Sequence, residues 1–315
     1  MVSNLGGVAP FQDPNAVNTW GIVYNANQLF VADNGTGFIT TYSTSGSPIA
    51  TPITVPSATS GTGSPDGLIY YGGTQFIITS GSNSGPARLL TSTEDGTVSG
   101  YNSTVNPTTA IVTVNRSGVG AVYKGLVIVG SYLYVCDFHN NRIDTFDSSF
   151  NLLLGFPFVD PTLPSGFAPF NIVSFNNLLY ILYAKQDPIA QHDDVAGPGN
   201  GYVSVFSTNG TFVNRLISGG YLNSPWAMIQ VPILLTTNCT QPAFLIGNFG
   251  NGTIAAYSSQ GVFLGKLRDY QCVDLIIDGL WGLAQGTGNV IFFASGPNRE
   301  SNGLVGSITP ITPNC

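Results

Sequence analysis

The chain has 315 residues and a formal net charge of −7, with 43% hydrophobic but only 8% charged residues. That much apolar sequence can bury a large core, whereas its three lysines, Lys124, Lys185 and Lys266, form no basic stripe able to displace counterions from a phosphate backbone, which argues against a nucleic-acid partner. The 39 glycines and 20 prolines point to many short strands and turns rather than long charged helices, and no apolar run reaches the roughly 18 to 20 residues of a membrane span.

Read in chain order, the sequence opens with MVSNLGGVAP, which has neither the basic nor the apolar region of a leader, so an exported form would carry its leader outside this sequence. An apolar strand, a second strand ending in polar or glycine residues and a third alternating strand then recur. The first copy reads WGIVYNANQLFVADNGTGFITTYS; the second, DGLIYYGGTQFIITSGSNSGPARLLTSTEDGTVSGYN, carries an extra hairpin. The third is KGLVIVGSYLYVCDFHNNRIDTFD, and the fourth runs from FNIVSFNNLLYILYAKQD to GYVSVFS. The fifth joins WAMIQVP to AFLIGNFGNGTIAAYS, and the sixth is LWGLAQGTGNVIFFASGPNRESNGLVGSIT.

Repeat starts lie roughly 45 to 60 residues apart, within or slightly beyond the spacing of propeller blades. Fourth strands follow in PIATPITV, TAIVTVN, LLLGFPF, TFVNRLI and VFLGKL, but the sixth copy has none before the chain ends. The expectation is one all-β domain, a six-bladed β-propeller with blades near 20–60, 66–116, 123–160, 169–218, 225–269 and 280–310. The N-terminal strand, within 1–8, supplies the missing outer strand and closes the last blade by pairing with Gly303 to Thr309. Six similarly ordered copies argue against a pair of β-sandwiches.

The segments VADNGTG, TEDGTVSGYN, DFHNNRIDTFD, YAKQD, HDDVAGPGNGYV, GNFGNGTI and DGLWGL resemble the uncharacterised NHL-like six-bladed propellers, a mostly bacterial and exported group. The resemblance covers nearly the whole chain. It implies the propeller fold and an exported, extracellular location, and it brings no reaction with it.

In a propeller the innermost strand of each blade runs away from the upper face, so blade-to-blade connections share that face with the loops between second and third strands. Asp33, Glu94, Asp95, Asp137, His139, Asp187, His192, Asp193, Asp194, Asn248, Asn298 and Glu300 belong to those loops or their edges. Both histidines therefore lie on one face, in blades three and four. Two neutral imidazoles with a carboxylate suit a transition metal, and carboxylates with carbonyls suit calcium. The candidate divalent-metal set is accordingly Asp137, His139, Asp187, His192 and Asp194. The bland reading is that such loops cap strands with side-chain hydrogen bonds.

Trp20, Trp226 and Trp281 stand where inner strands begin in blades one, five and six, and blades two to four offer Asp66, Lys124 and Asn171. If they face the channel, they suit a small molecule, glycan or protein segment at the upper face. The competing reading wedges each indole between blades as core. Four cysteines without C-x-x-C spacing disfavour a zinc knuckle, and strand directions pair Cys239 with Cys315 on the lower face.

There is no G-x-S-x-G, H-E-x-x-H or Walker loop. The leading functional expectation is a non-catalytic exported binding or scaffold propeller of unknown ligand. A metal-assisted lyase or hydrolase on the upper face is the alternative. A self-assembling surface-layer or extracellular-particle subunit is a further one. The stretch AKQDPIAQHDDVAGPGNG, residues Ala184 to Gly201, is expected to be a blade-four loop folded over the upper mouth.

Overall fold

Short strands that are apolar on both faces cannot stand as isolated hairpins; each must be covered by a neighbouring sheet. The computed structural model describes residues 1–231 and 243–310, and these form six radial antiparallel sheets around one axis, the expected six-bladed β-propeller. The inner strands are Thr19–Asn25, Pro65–Tyr70, Tyr123–Val129, Phe167–Phe175, Pro225–Val231 and Leu280–Gln285. A short 3-10 turn at Ser117–Val119 is the helical element among the described residues.

An apolar seam fills each junction between blades. Leu68 and Leu89 of blade two meet Ala32 and Ile39 of blade one, and Val135 of blade three meets Leu90 and Val98 of blade two. Comparable seams join three to four, four to five, five to six and six to one. Each fully buried aliphatic side chain contributes roughly 1.5–3 kcal/mol, so the ring holds only if every junction is filled.

One backbone device recurs at the head of the inner strands. Each gains an extra residue relative to its partner strand, between Thr19 and Ile22, Pro65 and Leu68, Tyr123 and Leu126, Pro169 and Asn171, Pro225 and Ala227, and Leu280 and Leu283. A bulge of this kind re-aims side chains and tightens local twist. It brings Trp20, Asp66, Lys124, Phe170, Trp226 and Trp281 to equivalent positions. Phe170, not the expected Asn171, therefore occupies the blade-four position equivalent to Trp20.

In five blades the next residue is glycine or alanine, because the neighbouring blade comes close; in blade four it is Asn171. A Cβ on Gly21 would stand 2.5 Å from the Asp66 carbonyl oxygen, and one on Gly282 would collide with the Trp20 carbonyl.

The N-terminal latch is present and shorter than expected. Val2 pairs with Val305 and Ser3 with Leu304, while Ser3 Oγ donates to the Gly303 carbonyl at 2.9 Å. Phe11–Gln12 then returns parallel to Val2–Ser3 as a fifth strand of blade six. The extra hairpin of blade two is Ile77–Ser80 with Asn83–Pro86. Cys239 and Cys315 lie outside the described residues. Cys136 is a buried free thiol, and Cys272 is disulfide-bonded.

Removing residues 1–12 uncovers the edge of blade six and takes away Val2, which is fully buried. The expected loss is about 3 to 6 kcal/mol, from apolar burial and ladder hydrogen bonds together. Urea unfolding of the truncated and full chains measures it, and equal midpoints would refute the latch.

Candidate functional site

The six bulged residues converge on the axis and close it. Trp20 stacks on Trp281 with ring centroids 3.5 Å apart, and Trp226 meets Trp20 edge-on at 5.1 Å. Phe170 packs against Trp226, and Phe249 stacks on the other face of the group against Trp281 at 3.7 Å. The indoles are at most 3% exposed. They form a plug across the channel rather than an open stacking surface. Below it a cavity of about 200 Å³ is lined by Gly21, Gly67, Leu126 and Asn171 among others. Asn171 has its amide on the Trp226 carbonyl at 2.8 Å and stands among these lower lining residues.

Above the plug lies a polar ribbon. Trp281 Nε1 donates to Asn18 Oδ1 at 3.2 Å, and Asn18 Nδ2 donates to Glu300 at 2.8 Å and to Asn34 at 3.2 Å. Asn34 Nδ2 in turn reaches Asp66 Oδ1 at 2.9 Å and Glu94 Oε2 at 3.0 Å. Lys124, 1% exposed, pairs with Glu94 and sets its ammonium 4.7 Å from the Trp20 ring centroid. The chain accepts a left-handed φ of 49° at Asn18 to bring that amide into the ribbon.

Burial alone would depress the Lys124 pKa, but Glu94 and Asp66 outweigh it and hold the ammonium charged. Burial likewise pushes Glu94 up, and the Lys124 charge and its hydrogen bonds bring it below the ordinary value. Asp66 is raised well above the usual carboxylate range, first by burial and then by Glu94. Glu300 is raised by burial and by Glu94 and Asp194, against the lowering effect of its Asn18 hydrogen bond.

The blade-four loop spans from Lys185 to Gly201 and folds back onto the ring. Gln186 Nε2 donates to the carbonyls of Phe138, at 2.5 Å, and His139, and His139 Nδ1 lies 3.0 Å from the Ala190 carbonyl. Asp187 accepts backbone amides from Ile189, Ala190, His192 and Asp193 at 3.1, 2.7, 2.8 and 3.2 Å. Those hydrogen bonds outweigh desolvation and hold its carboxyl far below the usual range. Near the far end the Gly197 amide donates to Asn223 at the edge of blade five.

The loop tip carries His192 and Asp193 to Glu94 of blade two. One ligand atom from each of these three residues lies within 4.8 Å of the others. His192 Nδ1 stands 2.9 Å from Asp193 Oδ1, a contact that, with Glu94, raises the imidazole pKa. Of the five metal candidates read from the sequence, His192 alone joins this group. Asp137 is paired with Arg142 at 3.0 Å and with Asn140. His139 and Asp187 are used in holding the loop. Asp194 faces Ser224, and burial raises its pKa.

Glu94, Asp193, Asn18 and Asn34 were the residues missed as site members. Glu94 sits in TEDG, which reads equally well as a tight turn. Its signal is positional, since it occupies the same second-to-third strand connection in blade two that His192 occupies in blade four.

Against known proteins, the chain is 37% identical over 318 residues to the uncharacterized protein R648 of Acanthamoeba polyphaga mimivirus, covering 98% of this chain and 78% of that one. The uncharacterized protein L690 of the same virus is also 37% identical over 318 residues, covering 98% and 84%. No family model matches. These relatives are viral, whereas the motif resemblance pointed to mostly bacterial proteins. Among solved structures, virginiamycin B lyase from Staphylococcus aureus superposes with a TM-score of 0.55 at 12% identity, over 94% of this chain and 96% of that one. A chain of the nidogen/laminin complex gives 0.53 at 15%, over 85% of each. At such identities the likeness shows the fold alone, and the fold serves an enzyme and a binding protein alike.

Two outcomes test this geometry. Lys124→Met leaves Glu94 buried without a counter-charge and should cost about 3 to 5 kcal/mol, most of it restored by adding Glu94→Gln; denaturant unfolding of both variants decides. Asp187→Ala should raise hydrogen exchange at the Ile189, Ala190, His192 and Asp193 amides while the melting temperature barely moves. Because the Asp187 pKa is depressed in the fold, its contribution is present above the unfolded value and lost as pH falls through the folded one. Loop protection should therefore persist below pH 4 and vanish only in stronger acid.

Proposed function

The chain belongs to the family of the mimivirus proteins R648 and L690, and on that premise we propose that it is a non-catalytic binding propeller whose upper basin takes a small cationic ligand. The observation that carries this reading is the charge balance at a blind mouth. The carboxyl groups of Asp66, Glu94, Asp193, Asp194 and Glu300 interact as one cluster around the single ammonium of Lys124. Carboxyl groups crowded above a floor that excludes water on one side resist ionising together, so Asp66, Asp194 and Glu300 are raised, and an added cation would stabilise their charged forms and be held by them.

Lys124 is itself an internal example of the chemistry. Its ammonium is held by an ion pair with Glu94 and by the face of Trp20; of these two interactions an external cation would meet the first, with the carboxyl groups of the basin. Binding is favoured over acyl transfer because the two histidines are otherwise engaged: His139 contacts a loop carbonyl and His192 a carboxylate. Neither contact is to the hydroxyl or thiol that a base would have to activate.

A second reading, a metal-assisted lyase or hydrolase at the same face, is favoured by one observation. The His192 and Asp193 pair lies open at the loop tip, where it could hold an ion and a water.

Thermal-shift titrations with spermidine, calcium, zinc and citrate test the basin. Cations should raise the melting temperature by about 3 °C or more at saturation, in a salt-sensitive way, and citrate should not. A double variant, Asp194→Asn with Glu300→Gln, should lose at least half of that shift. Equal shifts from citrate, or an unchanged response in the double variant, would defeat the proposal.

A further inference from the structure

We propose that Glu94, His192 and Asp193 bind one divalent transition-metal ion of the zinc class, which fastens the blade-four loop to blade two. This rests on the basin reading and names its cation.

The three ligand atoms come from two blades, Glu94 from blade two and His192 with Asp193 from the blade-four loop, and lie within 4.8 Å of one another. The 2.9 Å between His192 Nδ1 and Asp193 Oδ1 is close to the spacing that neighbouring ligands take around an ion with bonds of about 2.0–2.2 Å. One imidazole with two carboxylates suits zinc, manganese or iron rather than calcium, whose sites are built from oxygen. Three protein ligands would leave a position open for water.

A second observation points the same way. Asp66 is 0% exposed, yet its Oδ2 has no hydrogen-bond partner. Its other oxygen shares the Asn34 amide with Glu94, so this carboxyl group neighbours the proposed ligand. A buried carboxylate oxygen is costly to leave unpaired. A water on the ion would supply the partner that it lacks, the outer contact that orients metal sites. The other polar groups are accounted for: Glu94 Oε1 faces Lys124, and Glu94 Oε2 faces Asn34. The positive charge of Lys124 opposes a cation, but it is already paired with Glu94, and Asp193 brings a second carboxylate to the ion.

The test is calorimetric titration of the chelator-treated full chain with zinc, calcium and spermidine, together with the absorption spectrum of the cobalt-loaded protein. One equivalent of zinc should bind at least about 100-fold more tightly than calcium. His192→Ala should lose about 100-fold in zinc affinity, and Asp66→Asn about 10-fold. His139→Ala, which loosens one loop anchor but removes no ligand, should weaken zinc binding less than about 10-fold and leave the cobalt spectrum intact. The cobalt spectrum should report nitrogen and oxygen ligands in a four- or five-coordinate site, and should collapse in His192→Ala. His192 is half-buried at a loop tip, so that variant should fold; an unchanged far-ultraviolet spectrum confirms it. Zinc affinity unchanged in folded His192→Ala, or calcium bound as tightly as zinc, would overturn the site. If cations still stabilise the protein in that event, the basin reading stands and only the metal assignment falls; if none binds, both fall.

Discussion

At the head of each inner strand the backbone swells by one residue, and in blades one, two, three and six the next residue is a glycine. At Gly21, Gly67 and Gly282 the carbonyl oxygen from the adjoining blade lies where a side chain would otherwise begin. In blade four Asn171 takes that place and sends its amide to the Trp226 carbonyl instead. Much of the upper half follows from this crowding. The bulge turns one large side chain per blade towards the axis, and the small residue lets adjacent inner strands approach closely enough for those side chains to touch. Without both, Trp20 of blade one could not stack on Trp281 and also meet Trp226.

The plug changes what the channel can do. An open axis would present aromatic faces to a sugar or peptide, as the three tryptophans suggested. Closed, it is a hydrophobic floor, and polar groups above it are cut off from solvent below. That explains why a lysine can be buried there. The Lys124 ammonium has lost most of its water, and the replacement is a carboxylate, a second nearby carboxyl and an indole face. The pair is stabilising only relative to a broken pair. Its more evident effect is positional, because Glu94 is held by Lys124 on one oxygen and by Asn34 on the other.

The blade-four loop is long enough to be mobile by itself. It is held instead by one side chain, Asp187, which turns four loop amides inward, and by anchors at Phe138, His139 and Asn223. Those contacts deliver His192 to the far side of the mouth, against blade two. The Glu94 turn of blade two and blade four's loop thus meet over blade three, whose own polar side chains, Asp137 and Asp144, are spent on Arg142.

By itself the sequence determined the strand order, the six-fold repeat, the need for an N-terminal strand in the last blade and the face on which polar loops gather. These depend on period-two alternation and turn chemistry, which are local, and on a count of strands, which ring closure makes decisive. The same local signals identified Trp20, Asp66, Lys124, Trp226 and Trp281, since each precedes a recognisable apolar strand. They erred by one residue at Asn171, because a bulge shifts the register and leaves no mark in composition. Only the tertiary structure decided which loop residues meet. His192 and Glu94 are almost a hundred positions apart, and their approach depends on loop anchoring, blade curvature and a buried ion pair, none of which has a periodic signature. It also decided that the indoles face one another rather than a ligand, because side-chain contact across the axis is set by ring geometry, to which all six blades contribute at once.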